Sequence, residues 1–103
     1  MLIEQDRIDG FLRVECCLSR LDSVQAGTFR EQLSRIISRG ERAILLDLGR
    51  VDFVDSAGLG ALIAVAKLVD EDGQFEITGL TGRVAQLLSL TRMDEVLSIR
   101  EHA

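Results

Sequence analysis

Ser56 is the hydroxyl best placed to do chemistry in this sequence. It lies in Asp55-Ser56-Ala57-Gly58, a tight turn between the apolar Val51-Asp52-Phe53-Val54 and a long helical pattern. A nucleophilic serine needs a base beside it. The only histidine is His102, one residue from the end of the sequence, where chains commonly fray. The Gly-x-Ser-x-Gly elbow of serine hydrolases is also missing, because Val54 stands where its first glycine would be. Either Asp55 or Ser56 can instead cap the helix by accepting a backbone N–H. Gly58 would then be small for close packing.

The remaining reactive groups carry less. Asp52 and Asp55 form a carboxylate pair that reads as turn residues and solvated charge. Gly58-Leu59-Gly60 lacks the third glycine of a dinucleotide fingerprint, and no Gly-Lys-Ser/Thr phosphate loop occurs. Cys16 and Cys17 are adjacent, so in a strand they face opposite ways, one buried and one exposed. Two neighbouring cysteines make no disulfide framework, and no metal-ligand cluster is visible. The sequence therefore predicts no catalytic residue, no metal and no cofactor, and the chain reads as something other than an enzyme.

The elements that must position Ser56 can be read from apolar spacing. Ile3 to Cys17 forms a hairpin turning at Asp9-Gly10. Asp22 or Ser23 caps a helix with Phe29, Leu33, Ile36 and Ile37 on one face, ended by Gly40. Ala43 to Leu46 is an unbroken apolar run, as expected of a strand covered on both faces. A second helix runs from Ser56 to about Asp70, with Gly73 as its stop. Phe75, Ile77 and Leu80 mark another strand, and Thr81 caps a helix carrying Val84, Leu87 and Leu88. Val96, Leu97 and Ile99 make a last strand. Strands followed by alternating helix and strand predict an α/β design, a mixed sheet of about four or five strands with helices packed on it.

Bulk properties narrow the partners. A chain of 103 residues fits one domain, residues 1–103, that buries roughly 65% of its unfolded surface. The formal charge of −5, with no Trp or Tyr, argues against nucleic-acid binding, which needs basic faces and stacking platforms. The longest apolar-rich stretch, Ala57 to Val69, is too short to span a bilayer and carries Lys67. With no signal peptide expected at Met1-Leu2-Ile3-Glu4 and unpaired cysteines, the cytoplasm is the expected compartment.

Leu45-Leu46-Asp47-Leu48, followed by Val51-Asp52-Phe53-Val54-Asp55-Ser56-Ala57-Gly58-Leu59-Gly60-Ala61-Leu62, resembles the signature of STAS domains, in particular stand-alone bacterial anti-sigma factor antagonists. Gly79 to Arg92 is similar to the family's later stretch. The resemblance implies partner switching. The unphosphorylated antagonist binds an anti-sigma factor that is also a serine kinase with a histidine-kinase-like ATPase fold. The kinase phosphorylates the serine after the aspartate, here Ser56, and binding ends; a PP2C-type phosphatase restores it. Carried onto this sequence, the partner surface comprises Asp22, Ser23, Asp55, Ser56, Ala57, Gly58 and Leu59. Two departures stand out. Ala57 replaces the second hydroxyl that often follows the phosphoacceptor, and Ser19-Arg20 stands where the family usually has Gly-Glu. A second implied reading is a STAS subunit of a lipid-transport ABC system that binds its ATPase constitutively, which Ala57 favours.

Overall fold

The computed structural model describes residues 1–69 and 73–100. Strand β1 (Leu2–Ile8) turns back into β2 (Phe11–Cys16) through Asp9 and Gly10, which have φ of 54° and 87°. Two successive positive φ values match the right-handed twist of a hairpin, as the Asp-Gly pair predicts. The pairing is antiparallel, with an irregularity between Glu4 and Arg7.

β3 (Arg20–Leu21) precedes helix α1 (Ala26–Ser38), whose buried residues are Phe29, Leu33 and Ile36. The helix stops at Gly40 with φ of 97°, a conformation that costs a residue with a Cβ. Its start departs from expectation. Asp22 caps the preceding turn, its Oδ1 accepting from Val24 N at 3.1 Å and Gln25 N at 3.3 Å, and α1 begins four residues later.

β4 (Ala43–Asp47) is the middle strand of a five-stranded sheet ordered β1-β2-β4-β6-β7, where β6 is Gln74–Thr78 and β7 is Ser98–Ile99. All pairings beyond the hairpin are parallel. Ile44, Leu45 and Leu46 are fully buried, the continuous apolar run that a strand covered on both faces requires. One face of the sheet, with Leu12, Val14, Ile44, Leu46 and Ile77, joins the helices in the core. The other face carries ion pairs, Arg13 to Asp47 at 2.7 Å and Arg100 to Glu76 at 2.8 Å.

β5 (Phe53–Val54) lies outside that sheet and pairs in parallel with β3 alone. Helix α2 (Ser56–Leu68) follows at once. It ends before Gly73, with Val69 already extended; the expected end at Asp70 lies outside the described residues. Helix α3 (Gly82–Leu90) buries Val84 and Leu88, and Thr81 precedes it without a side-chain cap, its hydroxyl donating to Val51 O at 3.2 Å. Leu80 lies beyond β6, past Gly79 with φ of 73°. The last strand is shorter than expected, since a 3-10 turn occupies Met93–Glu95 and Val96 is exposed. Among the described residues no helix is long and apolar enough to cross a membrane.

Candidate functional site: the β5–α2 turn

The short β3–β5 sheet aims α2. Arg20 lies opposite Phe53 and Leu21 opposite Val54, while Asp52 N donates to Ser19 O at 2.9 Å and Asp55 N to Leu21 O at 3.3 Å. Leu21 is fully buried, so the turn that leaves β5 is tied to a residue of the core.

Asp55 then serves two elements with one carboxylate. Oδ1 accepts from Gly58 N at 2.9 Å and caps α2, and Oδ2 accepts from Ser23 N at 3.1 Å. This settles which of the two expected residues caps the helix. It leaves Ser56 as the first helical residue, exposed, with a hydroxyl that makes no hydrogen bond among the described residues. Gly58 is buried against Leu21. A Cβ there would overlap the Leu21 carbonyl oxygen and stand 2.8 Å from its carbonyl carbon, so only glycine lets the first turn of α2 sit this close.

The Asp22-Ser23 loop and the Asp55–Leu59 turn, anticipated as one surface, are therefore joined by the Ser23–Asp55 hydrogen bond. Ser23 and Ser56 are exposed, Asp22, Ala57 and Leu59 are half-buried, and Gly58 lies beneath them. Asp22 loses hydration, which opposes its charged form. Hydrogen bonds from Arg20 and from the Val24 and Gln25 amides outweigh that loss and hold its carboxyl below the ordinary 3.8.

Arg20, noted in the sequence as a departure, has its place set by Phe53, and two further neighbours, Val24 and Arg30, escaped the sequence reading. The Arg20 guanidinium stacks 4.1 Å from the Phe53 ring centroid while its Nε donates to Asp22 at 3.3 Å. Val24, on the same loop, is 80% exposed. Arg30 lines a shallow groove between α1 and α2 with Ala26, Gly27, Ala57, Gly60 and Ala61. The α2 side of the groove had a sequence signal, small residues at the i, i+3, i+4 spacing of Ala57, Gly60 and Ala61.

The arrangement offers an accessible hydroxyl at a helix start, without a base engaged to it. Burial pushes the Cys16 thiol up, which keeps it protonated and inert. Among the described residues no group of His, Cys, Asp and Glu is clustered to hold a metal, and His102 lies outside them.

Comparison with known proteins agrees with this geometry. The STAS domain family model matches residues 4–103. The "Putative anti-sigma factor antagonist BtrV" of Bordetella bronchiseptica is 32% identical over 92 residues, covering 88% of this chain and 78% of that protein. The "Anti-sigma-B factor antagonist" of Staphylococcus aureus is 27% identical over 100 residues, covering 96% of this chain and 92% of that one. A crystal structure of an anti-sigma factor antagonist from Mycobacterium paratuberculosis shares the fold with a TM-score of 0.83 at 19% identity, covering 100% of this chain and 87% of that chain. With residues 4–103 matched by the family model, the chain belongs to the STAS domain family.

Proposed function

We propose that this chain is an anti-sigma factor antagonist that works by partner switching in the cytoplasm, with Ser56 as the phosphoacceptor. Unphosphorylated, it binds an anti-sigma factor that is also a serine kinase with a histidine-kinase-like fold. Phosphorylation of Ser56 ends the complex, and a PP2C-type phosphatase renews it. The chain is the substrate in both reactions. The antagonist role named for its relatives supports the reading, and one observation carries it: Ser56 is exposed, with its hydroxyl unbonded among the described residues, while Asp55 caps the helix.

Physical chemistry accounts for the switch. Phosphate adds about −1.5 to −2 charges, which the N–H groups and dipole at the start of α2 tolerate. The fold is therefore kept, and the effect falls on the partner surface. Asp55, next in sequence, concentrates negative charge there. Like charges about 4 Å apart cost on the order of 1–4 kcal/mol, and a penalty of roughly 2–3 kcal/mol weakens a complex about 30- to 150-fold.

The test is incubation with ATP and the histidine-kinase-like serine kinase encoded nearest this gene, followed by mass spectrometry. Phosphate is expected on Ser56 and absent from Ser56→Ala. Phosphate elsewhere, or an ATPase partner that binds Ser56→Asp as tightly as wild type, refutes the reading.

A further inference from the structure

In a chain whose formal charge is −5, the surface around Ser56 turns two guanidiniums, Arg20 and Arg30, outward, while the carboxylates of Asp22 and Asp55 are half-buried. Its carboxylates are occupied internally. Asp55 accepts from two backbone N–H groups, and Asp22 accepts from two more and from Arg20. The exposed Asp52 lines a depression that also contains Phe53 and Arg83.

The guanidiniums remain available. Arg20 spends only Nε on Asp22 and keeps its side chain 57% exposed, held in place by the Phe53 ring. A cation immobilised before binding loses little entropy when a partner arrives. Arg30 is exposed and its guanidinium has no ion pair or hydrogen bond among the described residues, its sequence neighbour Glu31 being paired with Arg35. The two arginines neighbour residues that flank Ser56 in sequence. Arg20 is cross-strand from Phe53, three residues before it, and Arg30 shares a groove with Ala57 and Gly60, which follow it. Val24, 80% exposed between them in sequence, supplies an apolar contact.

We infer that the partner presents an acidic segment to this patch, its carboxylates meeting Arg20 and Arg30 with Val24 as the apolar anchor. This rests on the phospho-switch reading and deepens it. The phosphate then releases the partner chiefly by cancelling the two guanidinium charges that recruit it, since its charge of about −1.5 to −2 matches theirs.

The test measures binding of the serine kinase named above to wild type, R20E, R30E, the double variant and S56D at about 50 mM and about 500 mM salt. Each reversal is expected to weaken binding about tenfold at low salt, mostly through slower association, and about two- to threefold at high salt. S56D is expected to cost the double variant far less than it costs wild type. Circular dichroism checks folding, and R20Q and R30Q carry the test with about threefold losses if a reversal disturbs it. If wild type binds, S56D releases, and the arginine variants bind like wild type, the acidic-segment inference fails and the switch stands. If wild type does not bind the kinase, both fall.

Discussion

Replacing Gly58 with alanine tests how the fold sets the position of Ser56. The added Cβ would overlap the Leu21 carbonyl oxygen and lie 2.8 Å from its carbon and 3.0 Å from Leu21 Cγ. Carbon–carbon contacts are comfortable at about 3.5–4.0 Å, so α2 must retreat by roughly 0.7 Å or more. Leu21 cannot yield, being fully buried and paired with Val54. Overpacking of this kind costs about 1–3 kcal/mol, and a backbone clash belongs at the upper end. Retreat also strains the Asp55 cap, worth about 1 kcal/mol, while alanine regains up to about 1 kcal/mol of helix propensity. The net loss is about 3 kcal/mol, a fall in Tm of about 12–24 °C for a chain this size. Far-UV circular dichroism is the assay, because the chain has no Trp or Tyr to report by fluorescence. Gly60→Ala is the control: nothing lies within 4 Å of its Cβ position, so it should stabilise by about 0.4–1 kcal/mol. A Gly58→Ala protein that melts with wild type would refute the close-approach argument.

Two further outcomes follow from the same turn. Asp55→Ala removes both the cap and the tie to Ser23 and should cost about 1–2 kcal/mol; Asp55→Asn, which keeps one acceptor oxygen, should cost less, and equal losses in urea unfolding would contradict the double role. Asp22 has its carboxyl lowered beneath 3.8 by Arg20 and the loop amides, after opposing desolvation. Its contribution is therefore present above the unfolded pKa and lost as pH falls through the folded one. The Val24 and Gln25 amide resonances should shift together below 3.8 and stay still in Asp22→Asn; a wild-type midpoint at or above about 4 contradicts the pairing.

Local signals carried much of the fold. Asp9-Gly10 announced a turn whose two positive φ values few other pairs tolerate. Phe29, Leu33 and Ile36 marked the buried face of α1, and Ile44 to Leu46 the central strand. What stayed hidden depended on distant parts of the chain. β3 and β5 are two residues each, too short to show a period, and exist because they pair with each other. Asp22 looked like a helix cap because capping a turn and capping a helix draw on the same side-chain chemistry. Val96 had the composition of a strand, yet the turn at Met93–Glu95 leaves it in solvent. Of the site, Ser56 and its flanking residues were legible from their resemblance to STAS domains. Arg20 on Phe53, and Arg30 beside Ala57 and Gly60, needed the tertiary fold to meet.

The central claim is that phosphate on Ser56 alone decides whether the anti-sigma partner stays bound. Isothermal titration of that partner with the unmodified chain and with the chain quantitatively phosphorylated at Ser56 measures this directly. The account predicts at least about 30-fold weaker binding after phosphorylation, with the far-UV circular dichroism spectrum unchanged. Equal affinities for the two forms would contradict it.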